Sequence, residues 1–151
     1  MKPQPDLRQR ALAILARREI SRAELAQKLQ QLSNNHAEIN ALLDELAERH
    51  WQSDTRYAEA YINSKARSHG NLRLQQALAA KGVDADTIRQ HLPDADTQQQ
   101  AAIAVLHKKF SHAPADMAEK HKQMRFLAYR GFDMHTIQAA LKQAWAEEDD
   151  E

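Results

Sequence analysis

The chain has 151 residues, 42% of them apolar and 28% charged, so it has enough apolar residues to fold as a compact body rather than stay disordered. It contains no cysteine, which excludes disulfides and thiolate chemistry, and only three glycines, too few to build a phosphate-cradling glycine loop. The formal charge is zero, yet residues 147–151 read EEDDE, so the body before them carries a net positive charge.

Helix formers dominate, and valine occurs only at Val83 and Val105, which speaks against a sheet core. In chain order, Leu7, Ala11, Ile14 and Leu15 share one helical face, and Arg17 and Arg18 close that helix. Ser21 and Glu24 form a capping box that opens a second helix carrying Leu25, Leu29 and Leu32. Ser33 and Asn34 follow, and Asn34 is expected to take the left-handed turn conformation. Asn35 and Glu38 then cap a third helix, whose Asp44, Glu45 and Glu48 form a solvated face rather than an acid–base pair.

Ser53 or Asp54 caps a fourth helix with Tyr57, Tyr61 and Ile62 on one side, ending near Lys65 and Arg67. A fifth helix, with Arg73, runs to Lys81; Gly82, Val83 and Asp84 make a sharp turn into a sixth, which stops before Pro93. The seventh begins near Asp96, carries Ile103, Leu106 and Phe110, and ends on Lys108 and Lys109. Pro114 separates it from an eighth helix with Met117, Lys120, Lys122, Met124, Arg125 and Leu127; Gly131, Phe132 and Asp133 then turn into the ninth.

A period of 49 residues organises the whole. Leu29, Leu78 and Leu127 are one such set, and LAAKGVDADTIRQHL at 78–92 lies over LAYRGFDMHTIQAAL at 127–141. Gly82 and Gly131 are read as left-handed helix stops, with Val83 and Phe132 folding back on Leu78 and Leu127. The expected fold class is all-α: three tandem three-helix repeats, 6–52, 53–93 and 94–145, then an acidic tail at 146–151. Units this small are marginal alone, so an elongated, curved array is expected, with helices of about 15 residues.

Chemistry is sparse. The eight histidines include no pair three or four apart, so no helical metal pair exists, and no cofactor is expected. The aromatics, Tyr129 included, are read mainly as core. Repetition of Arg17 and Arg18, Lys65 and Arg67, and Lys108 and Lys109 at the end of each first helix suggests a basic stripe facing phosphates or an acidic protein. Arg73, Lys120, Lys122 and Arg125 add charge on second helices. The plainer reading is complementarity to helix dipoles. The acidic tail is either a solvated end or a phosphate mimic. No apolar run is long enough to cross a bilayer and no secretion signal opens the chain, so a cytoplasmic, monomeric protein is expected.

LARREISRAELAQKL at 15–29, SDTRYAEAYINSKARSHG at 53–70, LRLQQALAAKGVD at 72–84 and RFLAYRGFDMHTI at 125–137 resemble, in order and spacing, the motifs of the RecX family over about residues 6–145. Asn71 and Ser33 depart from that pattern locally. The resemblance implies tandem three-helix repeats and a non-enzymatic regulator. Such a protein binds the RecA–DNA filament along its groove and suppresses RecA ATPase and strand exchange. A helix-turn-helix-like reader of DNA sequence is the alternative, with Arg22, Gln27 and Gln30 as its thin set of base contacts. A plain scaffold that binds neither is a third.

Overall fold

The computed structural model describes residues 6–146, and among these it contains nine helices and no strand. They are α1 (Leu7–Arg17), α2 (Arg22–Gln30), α3 (His36–Glu48), α4 (Asp54–Lys65), α5 (Asn71–Ala80), α6 (Ala85–His91), α7 (Ala95–Lys109), α8 (Met117–Tyr129) and α9 (Met134–Ala144). Only α7 reaches the expected 15 residues. The acidic residues 147–151 lie outside the described part.

Among the described residues two compact units emerge, one from residues 6–61 with Leu78–Gln90, the other from Ile62–Ala77 with residues 91–146. In the first, α1, α2 and α3 pack around Ala11, Ile20, Leu25, Leu29, Leu43 and Leu46. In the second, α7, α8 and α9 enclose Ala102, Leu106, Leu127, Phe132, Ile137 and Ala140. No described helix is long and apolar enough to cross a membrane.

The capping chemistry sets the helix starts. Ser21 accepts from the Glu24 N–H, Asn35 from Glu38, Asp84 from Asp86 and Thr87, and Asp133 from Thr136. At α4 it is Ser53 that accepts, from the Arg56 N–H. The start of α7 is fixed by Asp94, two residues before the expected Asp96. The glycine stops follow the expected pattern: Gly82 (φ 82°) and Gly131 (φ 93°) are left-handed, and the Val83 and Phe132 N–H groups donate to the Leu78 and Leu127 carbonyls.

The first copy corrects the sequence reading. Asn34 is not left-handed; α2 ends through bonds from the Leu32 and Ser33 N–H groups to the Leu29 carbonyl, and the Ser33 hydroxyl accepts from Asn35. Leu32 thus falls outside the helix and is exposed. Among the described non-glycine residues the left-handed one is His50 (φ 60°), which stops α3 while the Trp51 N–H reaches back to the Leu46 carbonyl.

A second regularity uses the same period. In one unit the Ser21 hydroxyl donates to the Lys81 carbonyl at 2.7 Å; in the other the Gly70 N–H donates to the Arg130 carbonyl at 2.8 Å. Both partners are displaced by the repeat length. The turn between the last two helices of one copy therefore docks on the start of the second helix in the copy before it. An acceptor from the intervening chain completes each contact: Asp54 takes the Arg22 N–H, and Gln98 takes the Asn71 N–H. These docked turns explain why the compact units cut across the sequence period.

Candidate nucleic-acid interface

The second unit contains a recess of about 430 Å³ lined by Arg67, Ser68, Ala104, Val105, Lys108, Lys109, Phe126 and Arg130. Three helix C-termini converge there. The end of α4 supplies Arg67, the last turn of α7 supplies Lys108 and Lys109, and the cap of α8 supplies Arg130. Ala104, Val105 and Phe126 give it an apolar lining, and Phe126 is held edge-on by Phe110 with ring centroids 5.5 Å apart.

Backbone crossing sets this geometry. The Gly70 and Leu72 N–H groups donate to the Arg130 and Gly131 carbonyls, so two chain segments touch without side chains between them. A Cβ at Gly70 would lie 2.4 Å from Gly131 backbone atoms, and one at Gly131 would lie 2.3 Å from the Arg73 Cβ. Because the backbones cross this closely, Arg130 reaches across to the loop after α4. Its guanidinium lies 5.1 Å from the Phe126 ring centre and donates weakly to the Ser68 carbonyl at 3.5 Å.

No carboxylate lines the recess. Among the described residues the ion pairs engage Arg8, Arg22, Arg49, Arg56, Lys81 and Arg89, and none of the ten cations singled out from the sequence. The cationic field is felt by His69, whose Nδ1 is buried without a hydrogen-bond partner. Burial first, then Arg73, Lys65 and Arg130, hold its imidazole below the usual histidine range.

Of the sequence-predicted cations, Arg67, Lys108 and Lys109 share the recess, and Lys65 and Arg73 lie near enough to act on His69. Lys122 lines a smaller hollow, about 210 Å³, that also includes Lys109 and Glu119. Arg125 is exposed on α8, while Lys120 lines a different groove of the same unit. Arg17 and Arg18 are exposed at the end of α1, in the first unit. Sequence reasoning missed Arg130, although its repeat partner is also a cation, Lys81. It also missed the exposure of Tyr129, which is 82% accessible on the α8 face that carries Lys122 and Arg125.

The helix-turn-helix alternative loses the start of its reading helix, although Gln27 and Gln30 stay exposed farther along α2. The start of α2, where base contacts would sit, is covered by the α5–α6 turn through Ser21 and Lys81. The Arg22 guanidinium is bound to Asp44 at 2.7 Å. Among the described residues no cluster of histidine and carboxylate side chains could hold a metal.

Family models described as the second and third three-helix domains of RecX match residues 53–92 and 96–141. The chain is 58% identical to "Regulatory protein RecX" of Neisseria meningitidis (serogroup C, serotype 2a), over 97% of this chain and 96% of that one. It is 44% identical to the protein of the same name from Chromobacterium violaceum, over 89% and 88% of the two chains. The crystal structure of RecX from Lactobacillus salivarius superposes with a TM-score of 0.83 at 21% identity, covering 91% of this chain and 94% of that one, a likeness of fold.

Proposed function

This chain belongs to the RecX family of non-enzymatic regulatory proteins, and we propose that it binds the RecA–DNA filament and restrains RecA ATPase and recombinase activity. The phosphate-facing contact in this reading is the recess of Arg67, Lys108, Lys109 and Arg130. The observation that carries it is the convergence of four cations around an apolar lining with no carboxylate among them. Such a surface favours a polyanion whose phosphates meet the rim and release counterions. We read the chain as three repeats, 6–52, 53–93 and 94–145, working as a monomer in the cytoplasm, where its partner resides. The remaining predicted cations, Arg17 and Arg18 among them, extend the contact along DNA or an acidic RecA surface.

The test mixes the purified chain with RecA and single-stranded DNA and follows ATP hydrolysis. Wild type lowers the rate; no change at saturating protein overturns the proposal. Binding of the chain to single-stranded DNA alone is then measured against salt for wild type and for Arg67→Glu with Lys108→Glu. Losing two phosphate contacts lowers the logarithmic salt slope by about 1.4. An equal slope and equal affinity at low salt would leave the cations as dipole complements. The triple variant Arg17→Glu, Lys65→Glu and Lys108→Glu tests whether the other predicted positions contribute to filament binding.

A further inference from the structure

Independently of the basic recess, we propose that the groove between α8 and α9 receives an acidic amphipathic helix from a protein partner. The groove encloses about 880 Å³. Its walls repeat at helical spacing: Met117, Lys120 and Met124 along α8, then Gln138, Leu141, Lys142 and Trp145 along α9 and its end. Spacings of three, four and seven residues on facing walls are what a third helix needs to lay an apolar stripe between them.

One apolar residue of the walls, Met117, exceeds what the fold requires. α8 begins three residues earlier in the 49-residue period than α5, and that extra turn carries Met117, which stays 61% exposed. α9 likewise runs four residues past the point where α6 stops, and that extension carries the exposed Lys142, while Leu141, at the period position of Leu92, and Trp145 are core residues that form the groove's floor. At the position of Met124 the preceding copy has Gln75. Methionines on an accessible wall adapt to varied apolar partners. Trp145, by contrast, is fixed: its Nε1 donates to Gln123 Oε1 at 3.0 Å, and the His107 ring packs edge-on at 5.1 Å.

Charge selects the occupant. Lys120 and Lys142 rim the groove, one on each wall, and His121 lies exposed beside Lys120. The one carboxylate lining it, Asp116, is engaged at the α8 N-terminus by the Glu119 N–H at 2.8 Å. An occupant therefore gains by placing acidic residues on both flanks of an apolar stripe. The chain's own EEDDE at 147–151 offers charge for the rim but no apolar side chain for the walls.

The probe is a fluorescein-labelled 18-residue designed helix with leucines at i, i+3, i+4 and i+7 and glutamates elsewhere, titrated by anisotropy with the full chain. A counterpart with lysines replacing the glutamates is the control. The expected result is binding of the acidic peptide alone, weakened ~10-fold or more by Lys120→Glu with Lys142→Glu, and by Met124→Glu. The lysine pair is exposed, so its reversal leaves the fold intact even if Met124→Glu does not. Three results overturn the proposal: no binding, equal binding of both peptides, or affinity unchanged by the lysine reversal. A fourth is binding that appears only in a chain ending at Ala146, which makes the acidic tail the occupant. No RecA or DNA enters the assay, so its failure leaves the filament reading standing.

Discussion

The docking of a helix turn on the preceding copy predicts a specific coupling between Gly82 and Ala23. Gly82 has φ 82°, and a Cβ there would lie 2.5 Å from the Ala23 Cβ. Two costs follow for Gly82→Ala. An L-residue in the left-handed region costs about 1–2 kcal/mol. Two methyl carbons also need about 3.5–4 Å, and overpacking of this kind costs about 1–3 kcal/mol. The single variant therefore loses about 2–5 kcal/mol. Ala23→Gly alone, in the first turn of α2, loses about 0.5–1 kcal/mol of helix propensity. In the double variant the clash is gone, because position 23 has no methyl, while the backbone costs remain. The double variant is thus more stable than the sum of singles implies, by about 1–3 kcal/mol. Urea denaturation followed by far-ultraviolet circular dichroism gives all four free energies by linear extrapolation. If the two effects add within about 0.5 kcal/mol, the turn does not need the close approach, and the docking argument fails.

Three further predictions concern histidines. His69 is held below the usual histidine range by burial and by Arg73, Lys65 and Arg130, so the unfolded chain takes up a proton more readily than the native one. Its contribution to stability is present above the ordinary histidine value and is lost as pH falls through the native one; His69→Gln should shrink the loss of urea midpoint between pH 7.5 and 5.5. Saturating single-stranded DNA should move the His69 titration upward in NMR spectra, because phosphates offset the neighbouring cations; an unmoved titration would take Lys65 and Arg130 out of the contact. At the end of α3, His50→Gly removes a left-handed L-residue and should raise stability by about 1 kcal/mol, read as a higher urea midpoint. A lower midpoint would mean that the imidazole makes contacts worth more than the backbone strain.

Much of the fold was legible because its signals are local. Ser21, Asn35, Asp84 and Asp133 cap helices within three residues of themselves, and Gly82 and Gly131 stop helices through φ alone. The misreading at Asn34 has a local cause too: Ser33 supplies a side-chain acceptor, so the turn closes without a left-handed residue. His50 gave only a weak signal, since histidine is enriched among left-handed non-glycine residues but is far less committed to that region than glycine. The recess was legible only in part. Arg67, Lys108 and Lys109 stand out as helix-end cations, but their convergence depends on the Gly70–Gly131 crossing, a contact between residues 61 apart. Arg130 was hidden in part for the same reason: its stacking on Phe126, one helical turn back, is local, but only the crossing brings it to the Ser68 carbonyl and the ends of α4 and α7.

Helix dipoles alone do not account for that recess. Each C-terminus carries roughly half a negative charge, so three converging ends supply about −1.5 in total. Arg67, Lys108, Lys109 and Arg130 bring more positive charge than that, and Arg130 spends its guanidinium on the Phe126 face and the Ser68 carbonyl rather than on its own helix end. Arg67, Lys108 and Lys109 are exposed, so solvent and salt screen the excess and packing need not offset it. Elsewhere among the described residues some cations pair with carboxylates, as at Arg8 with Glu45 and Arg22 with Asp44, while others such as Arg17, Arg18 and Arg125 stand singly in solvent. What sets the recess apart is the gathering of four cations around one hollow with no carboxylate in its lining. The glycine crossing that fixes the gathering point costs conformational freedom and places no side chain in the core. Its physical return is that Arg130 is set beside the ends of α4 and α7, which gathers the four cations at one lip.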